Sequence, residues 1–169
     1  MKIWIRYIAL CMSTFLLVAC ASTESKLAVP YVLELKATNN VNAGQTGKAH
    51  PIKVIVYELN SSNAFNQSDY FSLQKDARQA LGDQMLGVSS VVLSPGETKE
   101  FKSEGNLQAK MLGIIAGYRD IHNAKWRLLI DLPEAETTNF YKFWQFSPDE
   151  VRIQLEVGEQ GLSVVPTKK

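Results

Sequence analysis

Few residues in this sequence are placed to do chemistry. The cysteines are Cys11 and Cys20, and the histidines are His50 and His122. His122 stands two positions after Asp120, the kind of spacing at which a carboxylate can orient a general base. In a polar connection such a pair is far more often ordinary turn chemistry. Neither histidine has Cys, His or carboxylate neighbours at metal-ligand spacing. No Gly-rich phosphate loop, G-x-S-x-G elbow or H-E-x-x-H motif occurs. The expectation is therefore no enzyme, no cofactor, no metal and no small-molecule substrate. The thiol of Cys20, directly after Leu17-Val18-Ala19, is the group with the clearest chemistry, and the chain around it decides what that is.

An apolar run from Tyr7 to Ala19, broken only by Ser13 and Thr14, follows the basic residues Lys2 and Arg6. It has the length of a signal-peptide core and falls short of the roughly 20 apolar residues a spanning helix needs. Leu17-Val18-Ala19-Cys20 resembles the bacterial lipobox, which implies cleavage before Cys20 and a covalent lipid on its sulfur and amine. Each buried CH₂ contributes about 0.8 kcal/mol, so a multiply acylated cysteine anchors stably. The expected organisation is a signal peptide over 1–19, a lipidated Cys20 with a small, polar tether to 29, and one domain over 30–169. Cys11 leaves with the signal, so the folded part has no free thiol or disulfide. By resemblance to bacterial lipoproteins, Ala21 in place of an aspartate implies sorting to the outer membrane, facing the periplasm. The chain has 18 Lys+Arg against 17 Asp+Glu and no basic block, which argues against nucleic acid as a partner.

The rest reads mostly as strands. In "YVLELKAT" (31–38) Tyr31, Leu33, Leu35 and Ala37 share one face. "IKVIVYEL" (52–59) is apolar on both faces, as in a central strand covered on both sides. Strands are also predicted at 89–93, 98–102, 111–118, 125–132, 150–157 and 161–165. Ser94-Pro95-Gly96-Glu97 is a Pro-Gly turn, which predicts a hairpin of 89–93 with 98–102. Gly113 and Gly117 permit close approach to the strand that carries them. Only 67–86 has helical spacing, through Leu73, Ala77, Ala80, Leu81 and Met85, with Ser68 or Asn66 as N-cap, Asp69 near the N-terminal dipole and Gly82 as a stop. The fold class expected is mainly β: a two-sheet antiparallel sandwich of about eight strands with a short helical insertion. Tyr57 and Trp126 belong to its core. "NFYKFWQFS" (139–147) carries Phe140, Tyr141, Phe143, Trp144 and Phe146, either a lid on the core or an exposed contact patch.

Taken in order, several stretches resemble the TssJ (SciN/VasD-like) lipoproteins of the bacterial type VI secretion system. These are "LVAC", Val41-Asn42 with a polar loop to Pro51, "VIVYEL" (54–59), "DYFSL" (69–73), "LSPGETKEF" (93–101), "LGIIAGYRDI" (112–121) and "AKWRLLI" (124–130). The segment 134–149 departs most from the family pattern. The resemblance implies a transthyretin-like sandwich held in the inner leaflet of the outer membrane by its lipid. It implies a mechanical role, binding the periplasmic C-terminal domain of the inner-membrane protein TssM. Arg119 and Asp120 would close a strand-to-turn corner. The partner loop carries over to Asn39, Asn40, Val41, Asn42, Ala43, Gly44, Gln45, Thr46, Gly47, Lys48, Ala49 and His50. This stretch has no large apolar side chain, so it reads as exposed and adaptable, with Asn42 as an Asx-type turn residue. The rival reading is a periplasmic lipoprotein that binds a small ligand or glycan through its aromatics, unrelated to secretion.

Overall fold

The computed structural model describes residues 24–44, 47–139 and 149–166. Its strands are β1 (Glu24–Leu27), β2 (Tyr31–Ala37), β3 (Ile52–Leu59), β4 (Met85–Leu93), β5 (Thr98–Ser103), β6 (Met111–Ala116), β7 (Arg127–Asp131), β8 (Glu136–Asn139), β9 (Val151–Val157) and β10 (Leu162–Val165). Eight of them form two four-stranded sheets, β10-β9-β2-β5 and β4-β3-β6-β7, packed as a sandwich. β1 and β8 pair only with each other, Glu24 opposite Asn139 and Leu27 opposite Glu136. The eight expected strands are all present, and one pairing departs from the antiparallel rule. β2 and β9 run parallel, Leu33 opposite Ile153, because β9 enters from the far side after the chain has finished the other sheet.

β3 shows why the sandwich has three layers. Ile52, Val54 and Val56 point between the sheets, into a buried cluster with Leu33, Leu35, Leu112, Ile114, Leu155 and Val157. Ile55, Tyr57 and Leu59 point the other way, into a second cluster with Phe65, Tyr70, Leu73 and Leu81. That second face is roofed by three short helices, α1 (Asn63–Gln67), α2 (Tyr70–Lys75) and α3 (Ala77–Leu81). The helical stretch thus starts earlier than 67; its α-helical part ends at Leu81, and a 3-10 turn over Gly82–Gln84 carries it to the start of β4. Met85 and Leu86 belong to β4, not to a helix.

The breaks between these helices come from aspartates. Asp69 and Asp76 each accept a bond from the backbone N–H three residues on, Ser72 and Gln79, both at 3.0 Å. Such side chains compete with the helical ladder and fix N-caps. Asp69 is therefore a cap itself. Ser68 closes α1, donating from Oγ to the Ala64 carbonyl at 2.8 Å, and Asn66 lies inside that helix. Gly82, at φ 58°, ends α3 in the left-handed region.

The expected hairpin is also corrected. The turn 94–97 does form, with the Glu97 N–H donating to the Ser94 carbonyl at 3.0 Å and Gly96 at φ 77°. But β4 pairs with β3 and β5 with β2, so this turn carries the chain from one sheet to the other. Leu93 and Phe101 meet in the interior cluster from opposite sheets. A Pro-Gly turn sets a reversal; whether it pairs or crosses over depends on which neighbours offer free edges.

Gly113 is required by the roof. A Cβ there would sit 2.8 Å from Leu59 Cδ1 and 2.8 Å from Phe65 Cε2. Gly113→Ala is expected to cost about 1–3 kcal/mol through overpacking, read as a lower Tm in a thermal melt. Burial has a second measurable effect. It pushes the Tyr57 hydroxyl pKa up to about 12, and holds those of Tyr31 and Tyr118 high as well, Tyr31 with added help from Glu58. In the unfolded chain these phenols ionise near pH 10. The native state keeps its protons longer, so this contribution is complete below about pH 10 and is lost as pH rises toward 12. Circular dichroism and tyrosinate absorbance should therefore change together in one alkaline transition. Full ionisation of the tyrosines at about pH 10 with the fold intact would contradict it.

Candidate functional site

Because β2 leads into β3 through the 38–51 loop, the two run in opposite directions and share an end. The same end receives the 94–97 turn, the β6–β7 connection (117–126) and the β9–β10 turn (158–161). The opposite end holds the exit of β1 into β2, the 104–110 turn and the start of β9. There Gly105 packs so closely that a Cβ would lie 2.4 Å from the Val29 carbonyl oxygen. The molecule therefore has a loop end and an N-terminal end.

The loop end is tied together by backbone and amide bonds. Thr38 N–H donates to the Val157 carbonyl at 3.1 Å, and Lys125 N–H to that of Gln160 at 2.9 Å. Asn40 Nδ2 donates to Glu159 Oε2 at 2.6 Å. Asn42 is the central pin. It is 4 % exposed, sits at φ 53°, donates from Nδ2 to the Pro51 carbonyl at 3.0 Å and accepts the Arg119 N–H on Oδ1 at 2.7 Å. It joins two connections, which corrects the local Asx-turn expectation. Val41 and Ala43 beside it are buried as well, at 0 % and 1 %. The loop is thus not uniformly exposed: its first turn is core, because Val41 reaches the interior cluster. Asn39, Asn40, Gly47 and Lys48 are exposed, Gly44, Ala49 and His50 half-buried, and Gln45 and Thr46 lie outside the described residues.

Between the 38–51 loop and the two turns beside it is a cleft of about 180 Å³ lined by Asn42, Gly44, Tyr118, Asp120, Asn123, Ala124, Glu159 and Gln160. The Asp120 carboxylate accepts from Asn123 Nδ2 at 2.9 and 3.0 Å, and its carbonyl takes the Ala124 N–H at 3.1 Å. It closes the corner with Arg119, as turn chemistry. His122 is exposed, and among the described residues no three His, Cys, Asp or Glu groups converge on a metal-sized site. The cleft is polar, lined by amides and carboxylates. Trp126 is a half-buried seam residue rather than core, edge-to-face with Tyr70 at 5.7 Å and beneath the Arg127 guanidinium at 5.2 Å. Cys20 and the aromatic segment 140–146 lie outside the described residues. Glu159 and Gln160 were not foreseen at this end. The parallel β2–β9 pairing brings them there, and nothing local in the sequence signals it.

The model of the type VI secretion lipoprotein family (VasD, EvfM, TssJ) matches residues 30–160. The chain belongs to this family. Among solved structures, Serratia marcescens Lip, described as a membrane bound component of the Type VI Secretion System, is 37% identical with a TM-score of 0.73. That match covers 85% of this chain and 100% of Lip. The lipoprotein TssJ1 from Pseudomonas aeruginosa is 27% identical with a TM-score of 0.72, over 84% and 98% of the two chains. A chain in a structure described as the TssM C-terminal domain from EAEC shares the fold at 21% identity and a TM-score of 0.62, covering 85% of this chain and 100% of that one. No curated protein sequence matches the chain. As a type VI secretion lipoprotein with the TssJ fold, the protein has the mainly β architecture that its strand pattern predicts.

Proposed function

We propose that this type VI secretion lipoprotein is an anchor of the secretion system's envelope-spanning complex. In this reading the signal peptide over 1–19 is removed, and a lipid on Cys20 holds the protein in the outer membrane. The 30–169 domain then binds the periplasmic C-terminal domain of TssM through the 39–50 loop, in a mechanical role with no reaction catalysed. One observation carries the reading: the loop end lies opposite the end where the N-terminal strand enters. β1 starts at Glu24, within the stretch expected to be a tether, so residues 21–23 alone separate it from Cys20. Four Cα steps span at most about 14 Å. So short a link keeps the N-terminal end toward the membrane and turns the loop end outward, to a partner rising from the inner membrane.

The test is binding of soluble 21–169 to the TssM periplasmic domain. Replacing Gly44–Ala49 by an Asn-Gly turn keeps the buried Val41, Asn42 and Ala43. Loop closure depends weakly on length, so Tm should move by a few degrees at most. Affinity should fall tenfold or more, about 1.4 kcal/mol. Full-strength binding by the folded variant would move the interface off this loop. Separately, Cys20→Ser should leave the protein out of the outer-membrane fraction, and normal fractionation of that mutant would refute the anchor.

A further inference from the structure

The four sheet edges of the sandwich are unequal. β5 carries Lys99, Glu100 and Lys102, charges that discourage strand addition. β10 has only four residues, and the β7 side is bridged to it through Lys125 and Gly161. β4 is an edge of nine residues, "MLGVSSVVL", with no charge and no proline.

The direction of its backbone groups follows from its neighbour. The Lys53 carbonyl accepts the Gly117 N–H at 2.9 Å, on the β6 side of β3. Lys53 stands opposite Val92, so that pair exchanges no bond. By the alternation of an antiparallel ladder, Ser89 and Val91 face β3 while Val88, Ser90 and Val92 turn outward. Lys99 confirms it, donating from Nζ to the Val92 carbonyl at 2.9 Å. The N–H and C=O groups of Val88 and Ser90 have no partner among the described residues. The Val88 and Val92 side chains are 55% and 52% exposed on the outer face of this row. Beneath it, between β4 and β5, a cleft of about 220 Å³ is lined in part by Val56, Glu58, Ser89, Phe101 and Ser103, with the exposed Lys102 at its rim and not ion-paired to Glu58. Glu58 Oε1 accepts from Tyr31 at 2.6 Å and Ser103 at 3.1 Å, while this half-buried carboxylate has no ion-pair partner among the described residues.

The geometry points to β4 as the site where an extended segment of the periplasmic partner adds as a fifth strand. Free amides in register specify a strand as the occupant. The exposed valines select apolar side chains on its outer face, and the unpaired Glu58 selects a Lys or Arg on its inner face. A second copy of this chain fits worse. Antiparallel pairing of two β4 strands points their N-terminal ends in opposite directions, which three-residue links to one membrane do not allow. The edge is also continuous with the loop end: β4 runs into the 94–97 turn, where Gly96 is so close to Asn39 Oδ1 that a Cβ would lie 2.6 Å away. This inference rests on the proposed partnership with TssM.

Hydrogen exchange on soluble 21–169, with and without the TssM periplasmic domain, tests it together with two variants. The amides of Val88 and Ser90 should become protected on binding. Ser90→Pro removes only an outward N–H, so the β3–β4 ladder and Tm should hold within a few degrees while affinity falls at least tenfold. Glu58→Gln should lower affinity several-fold. Binding with neither protection nor loss in folded S90P would overturn the strand addition and leave the partnership standing. No binding by the unaltered domain would overturn both. Protection in the chain alone that grows with its concentration would mean that a second copy takes the edge, and would overturn the assigned occupant.

Discussion

Asn42→Ala is expected to be among the most damaging single changes at the loop end. It leaves the Arg119 N–H and the Pro51 carbonyl without their partner in a site where Asn42 is 4 % exposed. A fully buried polar group left unsatisfied costs about 1–3 kcal/mol. The two here fall at or below the low end because both bonds are only part-buried, and alanine at φ 53° adds roughly another 1–2. The total is about 2–4 kcal/mol after partial relaxation and water entry, or roughly 5–15 °C in Tm for a domain of this size. Because Asn42 holds the first turn of the loop against the β6–β7 corner, partner affinity should fall with it even below the transition. Asn42→Gly separates the two causes: it removes the amide but tolerates the left-handed backbone, so it should be the milder change. Equal Tm values for the alanine, glycine and unaltered proteins would show that the pin carries nothing.

Phe65→Ala should cost more and touch binding less. Phe65 is fully buried under the helical roof, edge-to-face with Tyr57 at 6.1 Å, and its ring fills the space that Gly113 leaves open. Truncating such a side chain costs about 3–5 kcal/mol, because few neighbours can collapse into the void. The fall in Tm is then about 6–20 °C. The roof lies on the outer face of one sheet, so affinity measured well below the transition should stay within about twofold of the unaltered protein. A cost under about 1 kcal/mol would mean the helices do not pack as a layer against β3. Comparing this variant with Asn42→Ala separates loss of fold from loss of the proposed binding end.

The contrast between these two sites follows how much of each was legible beforehand. The roof was partly readable: β3 is apolar on both faces, and the stretch around Leu73, Ala77 and Leu81 has helical spacing, so one face of β3 had to meet helices. What escaped was the division into three helices. Asp69 and Asp76 could have capped or simply faced solvent, and the choice depends on which turn Tyr70 and Leu73 must present to Tyr57. The Tyr57 hydroxyl donating to the Leu73 carbonyl at 2.8 Å fixes that choice.

At the loop end the balance is reversed. Asn42 and Pro51 are separated by nine positions, but Asn42 and Arg119 by 77, so no local pattern marks Asn42 as buried. By composition the loop looked wholly exposed. Val41 and Ala43 are small enough to pass as loop residues, yet both are buried, Val41 within the interior cluster. The same holds for the Pro-Gly turn, whose reversal was plain and whose crossing between sheets was not.

The sequence by itself determined the eight strands of the two main sheets, though not the β1–β8 pair, because a period of two with apolar residues on one or both faces leaves a chain of this composition no other way to bury them. It also carried the ordered set of motifs that points to the type VI secretion lipoproteins, and a cysteine in the setting expected for lipid attachment. Only the tertiary structure decided which strands pair, that β9 lies parallel to β2, and that four connections meet at the end opposite β1. Those outcomes rest on contacts between residues tens of positions apart, where many pairings satisfy the same local pattern. Packing between the two sheets selects one of them.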